Sequence, residues 1–241
     1  MHASPIAGRE APRGVFIAGT DTEIGKTHAS VSLVHALRAA GHRACGMKPV
    51  ASGCEDTPAG LRNADALALQ AASDPQSDYA RINPFALRAP VSPHLAARED
   101  GITLTLDGIR DAYAALATDH DRIVVEGIGG WMVPLGEDLL ASAIPAALGL
   151  PVILVVGLRL GALNHALLSA RAIQADGCRL LGWIGNRIDP GMARAGSNID
   201  TLRARLPAPC LGLLEHGPAP PLAAAALGDA VAALDAADGG W

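Results

Sequence analysis

The sequence predicts a single α/β domain in which a mostly parallel sheet is flanked by helices on both faces. Short apolar runs alternate with longer amphipathic segments along the 241 residues, which is typical of repeated strand–helix–strand units. The run 152–156 is apolar throughout, as expected for a strand that is covered on both faces. Half of the residues are hydrophobic but only 3% are aromatic, so aliphatic side chains supply most of the predicted core.

Six strands and seven helices are predicted from these patterns. The strands are expected at 14–18, 43–47, 122–126, 152–156, 180–185 and 210–214. The helices are expected at 25–40, 64–72, 106–118, 139–148, 162–175, 198–206 and about 222–233. The segment 51–97 contains only one convincing helix, and so long an irregular insertion favours a functional role. Residues 1–13 are mixed and polar, which predicts a disordered tail before a domain at 14–241.

Composition excludes several classes of protein. The net charge is -5 and no Lys/Arg cluster forms a basic stripe, which argues against a nucleic-acid or anionic-membrane partner. The longest apolar run, 144–158, is too short to span a bilayer and is interrupted by Pro145 and Pro151. The cysteines form no CxxC pair and no metal spacing, so free thiols in a cytoplasmic protein are expected. They are Cys45, Cys54, Cys178 and Cys210.

The segment 19–27, Gly-Thr-Asp-Thr-Glu-Ile-Gly-Lys-Thr, lies between the first predicted strand and the first helix. A P-loop usually has four residues between its first glycine and Gly-Lys-Thr, and this segment has five. Glycines let successive amides face a phosphate, and the helix N-terminus adds its positive dipole end. Lys26 would reach the β- and γ-phosphates, and the Thr27 hydroxyl would bind Mg²⁺. An ordinary glycine turn is the alternative, but the coincidence of features predicts a P-loop NTPase-type fold that binds ATP.

Two carboxylates are candidates for completing the Mg²⁺ site. Glu126 ends a predicted buried strand, where a carboxylate rarely lies without a partner. The glycines that follow, Gly127, Gly129 and Gly130, allow the backbone to approach a ligand closely. A solvated carboxylate at a strand end remains the alternative for Glu126. Asp65 is a weaker candidate, since it could simply place charge in the first turn of its helix.

Several stretches together resemble the dethiobiotin synthetase family. They are Gly-Thr-Asp-Thr-Glu-Ile-Gly-Lys-Thr at 19–27, Lys-Pro-Val-Ala-Ser-Gly at 48–53, Arg-Asn-Ala-Asp at 62–65, Ser-Pro-His at 92–94, Glu-Gly-Ile-Gly-Gly-Trp at 126–131 and Gly-Ala-Leu-Asn-His-Ala at 161–166. The resemblance runs from about residue 14 to 212. It implies a homodimer that converts 7,8-diaminononanoate, CO₂ (or bicarbonate) and ATP into dethiobiotin, ADP and phosphate, through a carbamate and a carbamic–phosphoric anhydride.

The resemblance also implies roles for individual residues. Lys48 and Lys26 are the expected catalytic residues, because fixed cations stabilise an anionic carbamate and phosphoryl group. Thr27, Asp65 and Glu126 form the expected Mg²⁺ set. The nucleotide-binding residues are expected to be Glu23, Ile24, Gly25, Lys26, Thr27, His28, Asp65, Glu126, Gly127, Ile128, Gly129, Asn186, Glu215, His216 and Gly217. Thr22, Ser52 and Asn164 match substrate contacts, with Asn164 reaching across the dimer.

Some positions depart from the family pattern. The family usually carries an Ile-Pro turn after the last strand, and here the turn is Leu-Leu-Glu-His-Gly at 213–217. Arg187 follows Asn186 where an acidic residue is common, and Ile128 replaces a smaller residue. The choice of nucleotide base is therefore left open by the sequence.

Two other functions are considered. A partition or septum-site ATPase switch would carry an additional lysine near the start of the P-loop, and residues 20–24 contain none. An amide synthetase of the corrin pathway usually carries an additional glutaminase domain, for which this chain is too short. ATP turnover that requires diamine and bicarbonate, rather than DNA or membrane, would distinguish the synthetase from these alternatives.

Overall fold

The computed structural model describes residues 14–238, and the predicted tail at 1–13 lies outside the described residues. The strands are β1 Gly14–Gly19, β2 Ala44–Met47, β3 Val50–Ala51, β4 Glu55–Thr57, β5 Gly60–Arg62, β6 Phe85–Ala86, β7 Arg122–Glu126, β8 Val152–Gly157, β9 Leu180–Asn186 and β10 Cys210–Leu214. The helices are α1 Lys26–Ala39, α2 Ala64–Ala72, α3 Tyr79–Ile82, α4 Pro93–Glu99, α5 Leu106–Ala117, α6 Ala143–Leu148, α7 Ala162–Ala175, α8 Ala195–Arg205, α9 Pro220–Ala223 and α10 Gly228–Asp238, with a 3₁₀ turn at Ala224–Leu227.

The central sheet has six parallel strands in the order β10-β9-β8-β1-β7-β2. Every residue of β8 is buried, so both faces of the sheet are covered at its centre. Helix α1 packs against β1, β2 and β7, helix α7 against β8 and β9, and helix α10 against β10. The predicted fold class, a mostly parallel sheet flanked by helices, is confirmed.

The parallel arrangement decides where a site can form. All six strands end at the same edge of the sheet, which is where ligand sites form in such folds. In the register of β1 with β7, Ile17 pairs with Glu126, and Gly19 pairs with Val155 of β8. The carboxyl edge therefore brings the loop after β1 next to the end of β7.

The six predicted strands of the central sheet are confirmed to within a residue at each end, but three predicted helices differ from the structure. The helix expected at 139–148 begins only at Ala143. Leu140 instead forms a β-bridge with Pro134, and the Leu139 carbonyl accepts the amide of Leu135 at 2.7 Å, which holds the preceding residues in a turn. The helix expected at 198–206 begins three residues earlier, at Ala195. The last helix is divided into α9, the 3₁₀ turn and α10.

The prediction of one helix in the segment 51–97 was wrong. This insertion contains the helices α2, α3 and α4, the hairpin β4–β5, and a short parallel pair formed by β3 and β6. Helices of four to seven residues, such as α3 and α4, are too short to produce a clear helical period in the sequence. Among the helices of residues 14–238, none is long and apolar enough to cross a membrane.

Candidate active site at the carboxyl edge of the sheet

The loop between β1 and α1 has the backbone conformation of a phosphate-binding loop. Gly25 lies in the left-handed region at φ 81°, and a Cβ there would collide with the side-chain amide of Asn186. Glu23, which is not a glycine, also has a positive φ of 57°. A Cβ at Gly19 would lie 2.7 Å from the Lys26 side chain. Gly25 is thus required by its positive φ and by the close approach of Asn186, and a side chain at Gly19 would displace Lys26, which supports the P-loop over an ordinary turn.

The N-terminus of α1 is open toward this loop. Its N-cap residue is Gly25, no side chain caps it, and its first turn contains no acidic residue. The first amides of a helix have no partner within the helix, so they can donate hydrogen bonds to an anion from outside. This arrangement suits the phosphates of a nucleotide.

Lys26 is a buried cation inside the loop. Its Nζ donates to the Asp21 carbonyl at 2.7 Å, and only 7% of the residue is exposed. Burial, together with repulsion from Lys48, lowers the pKa of Lys26 from 10.5 to about 8, although nearby carboxylates act in the opposite direction. A bound phosphate would place negative charge beside this ammonium and so favour its protonated form.

A buried ion pair lies beside the loop, at the ends of β2 and β7. The Lys48 Nζ donates to Glu126 Oε1 at 2.6 Å and to the Gly127 carbonyl at 2.9 Å. The Thr27 hydroxyl donates to the same Glu126 oxygen at 2.9 Å. Lys48 and Glu126 are 4% and 1% exposed. The structure therefore brings together the lysine, threonine and glutamate that the sequence predicted from three separate stretches.

The oxygen atoms around this pair fit a magnesium ion. Within residues 14–238, the buried Oε2 of Glu126 has no hydrogen-bond partner. Asp65 approaches from the start of α2, with its carboxylate 3.7 Å from the Lys48 ammonium and its side chain 45% exposed. The described residues contain no group of three or more His, Cys, Asp or Glu side chains that could hold a metal. Two carboxylates and a hydroxyl are a sufficient protein set for Mg²⁺, which also takes phosphate and water oxygens.

The predicted nucleotide-base residues lie at the ends of β9 and β10. The buried Asn186 donates its amide nitrogen to the Ile24 carbonyl at 2.9 Å and so braces the P-loop from the side. The exposed Glu215 accepts from Arg187 Nε at 2.9 Å. This ion pair joins the residue after β9 to the residue after β10, and both lie where the sequence departs from the family pattern. Contact of these residues with a base stays a prediction.

The remaining predicted site residues differ in exposure and in their positions in the fold. Thr22 is exposed on the P-loop, and the half-buried His28 follows Thr27 in α1, where burial lowers the pKa of its imidazole. Ser52 is half-buried, and its carbonyl accepts from Asn63 at 3.5 Å. After β7, Gly127 is buried, Ile128 is half-buried, and Gly129 has a positive φ of 58°. After β10, His216 and Gly217 are exposed. Asn164 is exposed on α7, outside the cluster of Lys48, Thr27 and Glu126.

One signal in the sequence was not used in predicting the site. Lys26 and Lys48 are the only lysines among the 19 Lys and Arg residues of the chain. Both are buried at this site, whereas lysines are usually exposed. An ammonium is a compact charge with three donors and differs in this from the planar guanidinium of arginine. The exclusive placement of lysine here therefore points to a requirement for ammonium groups.

A parallel sheet whose first strand leads through this loop into α1 defines the class of P-loop nucleotide-binding proteins. The AAA domain family matches residues 13–220. Among solved structures, the MinD cell division protein of Aquifex aeolicus superposes with a TM-score of 0.57 at 16% identity, covering 92% of this chain and 97% of that one. MinD of Pyrococcus horikoshii, solved with Mg-ADP, gives a TM-score of 0.54 at 14% identity and 92% coverage of both chains. At such identities the likeness establishes the fold alone.

Sequence relatives identify the family. The ATP-dependent dethiobiotin synthetase BioD of Xanthomonas euvesicatoria is 58% identical over 213 residues, covering 88% of this chain and 95% of that protein. The enzyme of the same name from Xylella fastidiosa is 55% identical over 203 residues, covering 84% and 90%. The chain belongs to the ATP-dependent dethiobiotin synthetase family. The resemblance predicted from the motifs is confirmed, and the ATPase-switch and amide-synthetase alternatives are not favoured.

Proposed function

We propose that this protein closes the cyclic urea of dethiobiotin from 7,8-diaminononanoate, CO₂ and ATP, and that the cluster of Lys48, Glu126, Thr27 and Lys26 is its active site. The observation that carries the proposal is the buried Lys48 ammonium beside the P-loop, 2.6 Å from Glu126. The additional lysine of a nucleotide switch would lie near the start of the P-loop, whereas Lys48 follows β2. A buried ammonium at that position suits a ligase, which must hold an anionic carbamate next to the γ-phosphate.

The proposed chemistry follows from the charges. One amine of the diamine captures CO₂ as a carbamate and loses a proton. A carbamate oxygen then takes the γ-phosphoryl group and ADP leaves. The second amine attacks the carbamate carbon and loses a proton as the ring closes, and phosphate departs with that oxygen. The carbamate, the anhydride and the departing phosphate are all anionic, so buried ammonium groups stabilise the charge as it develops.

The residues have separate roles in this scheme. Lys26 holds the β- and γ-phosphates, together with the open amides of α1. Lys48 holds the carbamate and then the phosphoryl group in transfer. Thr27, Asp65 and Glu126 would hold Mg²⁺, which when bound neutralises charge on the phosphates. Thr22 and Ser52 would contact the diamine. We place the reaction in the cytoplasm, where ATP and reduced cysteines are found, and all four cysteines are free thiols.

The assay that tests the proposal measures ADP release with 7,8-diaminononanoate, with and without bicarbonate, and checks dethiobiotin by mass spectrometry. Release should require both compounds and should match dethiobiotin one to one. ADP release that ignores both and responds instead to DNA or lipid vesicles would support the ATPase-switch alternative.

Removing the proposed metal carboxylates should raise the Mg²⁺ concentration needed for half-maximal turnover. Asp65→Asn is the cleaner variant, because Asp65 is half-exposed and its loss should change stability little. Glu126→Gln should raise the Mg²⁺ requirement and also lower the melting temperature, since it leaves the buried Lys48 ammonium with only the more distant Asp65 carboxylate, at 3.7 Å, as a charge partner. The Mg²⁺ dependence of turnover and thermal unfolding are measured on each variant.

Asp107→Asn is the matched control for this series. Asp107 also lies in the first turn of a side-chain-capped helix, α5, but it is exposed and pairs with Arg110 of its own helix at 2.7 Å. Its substitution removes a comparable charge from a helix N-terminus and should leave the Mg²⁺ titration unchanged. A parent-like titration for Asp65→Asn and Glu126→Gln would remove both residues from the metal site.

A homodimer is the proposed assembly, with Asn164 completing the diamine site of the second copy. Helix α7 has an uncapped N-terminus at Gly161 and no acidic residue in its first turn, which suits the carboxylate tail of the diamine. Large apolar side chains are exposed here: Leu160, at 94% exposure, precedes this start, and Leu168, at 57%, lies midway along α7. Such residues are typical of an interface.

Mixing two defective variants tests this assembly directly. Lys48→Gln and Asn164→Leu should each be impaired alone at low diamine concentration. When the two are mixed, half of the dimers contain one copy of each variant, and each such dimer has one intact site. The mixture should therefore regain about a quarter of the parent turnover. Lys48→Gln mixed with itself is the control. No recovery, together with a monomer in analytical ultracentrifugation, would contradict the shared site.

A further inference from the structure

A buried chain of hydrogen bonds lies behind the candidate active site, in the insertion that follows β2. Asn83 is 3% exposed, and its amide nitrogen donates to the Lys48 carbonyl at 2.7 Å. Its Oδ1 accepts from the Tyr79 hydroxyl at 3.0 Å. The backbone of Lys48 is held on its other side as well, since its amide donates to the Ile82 carbonyl at 2.8 Å. The lysine thus leaves the sheet from a backbone that α3 fixes in place.

The same tyrosine holds the start of α2. The Tyr79 hydroxyl accepts the backbone amide of Asn63 at 2.8 Å. The Asn63 side chain caps α2 by accepting the amides of Asp65 at 3.0 Å and Ala66 at 3.3 Å. Asp65, a proposed metal ligand, is therefore attached to the tyrosine through a single intervening residue.

One hydroxyl thus joins two parts of the site that come from separate stretches of chain. We propose that Tyr79 is a positioning residue, whose hydroxyl fixes the Lys48 backbone and the Asp65 helix relative to each other through Asn83 and Asn63. The inference rests on the proposed function, because it concerns the geometry of the residues assigned to catalysis there.

The tyrosine is suited to this role by its surroundings. It accepts one hydrogen bond and donates another, which requires a neutral phenol. Burial raises the pKa of Tyr79, so the phenol keeps its proton at the pH of the cell. The Arg62 guanidinium lies over its ring, 4.2 Å from the centroid, and limits movement of the side chain. A phenylalanine would fill the same space without either hydrogen bond.

Tyr79→Phe tests the inference, and the chain offers a matched control. Tyr113 is its only other tyrosine, and it is also buried. The Tyr113 hydroxyl lies near Gly14, at the start of β1 and so at the opposite edge of the sheet. Tyr79→Phe should lower kcat on the order of ten- to a hundredfold, as losses of supporting groups around a site do, with the KM for ATP within about twofold of the parent. Tyr113→Phe should keep the parent kcat.

A second measurement does not depend on turnover. Protein labelled with ¹⁵N-lysine should give only two side-chain Nζ signals in NMR spectra, from Lys26 and Lys48. Tyr79→Phe should move the Lys48 signal and leave the Lys26 signal in place, whereas Tyr113→Phe should move neither. If the parent made no dethiobiotin, the proposed function would fail and the Lys48 signal alone would decide the inference. A Tyr79→Phe protein with parent kcat and an unmoved Lys48 signal would overturn it.

Discussion

Lys26→Met is expected to abolish turnover and, in the absence of nucleotide, to make the protein more stable. The loss of the cation at the phosphates should cost at least about 10³-fold in rate, at the upper end of what one electrostatic contact supplies. The pKa of Lys26 is lowered by burial and by Lys48 from 10.5 to about 8, which means that the folded protein disfavours its charged form. Removing this charge should therefore stabilise the folded state. A buried residue that opposes folding but is needed for turnover is expected at an active site.

The pH dependence of that gain has a definite sign. Below about pH 8, Lys26 is charged in both the folded and the unfolded protein, and the folded state carries the full cost of burying the charge. Between pH 8 and 10.5 the unfolded state binds more protons, so the stability of the parent rises with pH. The variant should therefore exceed the parent by about 1–3 kcal/mol at pH 7, and by progressively less toward pH 10.5. Denaturant unfolding at a series of pH values measures this difference, and a variant less stable than the parent at pH 7 would contradict the assignment.

Lys48→Gln should lower the rate of ring closure about 10²-fold, equivalent to about 3 kcal/mol of transition-state stabilisation, while ADP still binds. Lys48 contacts Glu126 and the Gly127 carbonyl, and neither contact is part of the P-loop. The substitution leaves the buried Glu126 charge without its partner, so a loss of stability of about 3–5 kcal/mol is also expected. Dethiobiotin formation, ADP affinity and unfolding are therefore measured on one preparation, well below the unfolding transition.

Lys48→Arg separates the two consequences of that change. It keeps a positive charge beside Glu126 and should recover most of the stability. It should recover only part of the rate, because a planar guanidinium places its charge and donors differently from an ammonium. Dethiobiotin formed by Lys48→Gln at close to the parent rate would show that Lys48 is not catalytic.

Much of this fold was predictable because its signals are local. The central strands are short apolar runs with both faces buried, and their predicted ends agree with the structure to within a residue. The helix at 64–72 was predicted with the correct bounds, and in the structure the Asn63 side chain caps its N-terminus. The P-loop combines glycines, a lysine and a helix start in nine consecutive residues.

The rest depends on contacts between distant parts of the chain. The pairing of Lys48 with Glu126 joins residues 78 positions apart and results from the register of β2 with β7, in which Met47 lies beside Val125. Family resemblance could place both residues in one site, but not in one ion pair. Tyr79 and Asn83 were missed altogether, because nothing in the residues around them indicates that their side chains support Lys48.

Transfer of oxygen from CO₂ to phosphate shows whether ATP phosphorylates a carbamate. With C¹⁸O₂ as substrate, and a reaction short enough to avoid exchange with water, the carbamate carries two labelled oxygens, and ring closure expels phosphate with one of them. We expect one ¹⁸O in the released phosphate for each dethiobiotin formed, measured by mass spectrometry. Phosphate that takes its new oxygen from water instead would mean that ATP is simply hydrolysed, and would contradict the proposed reaction.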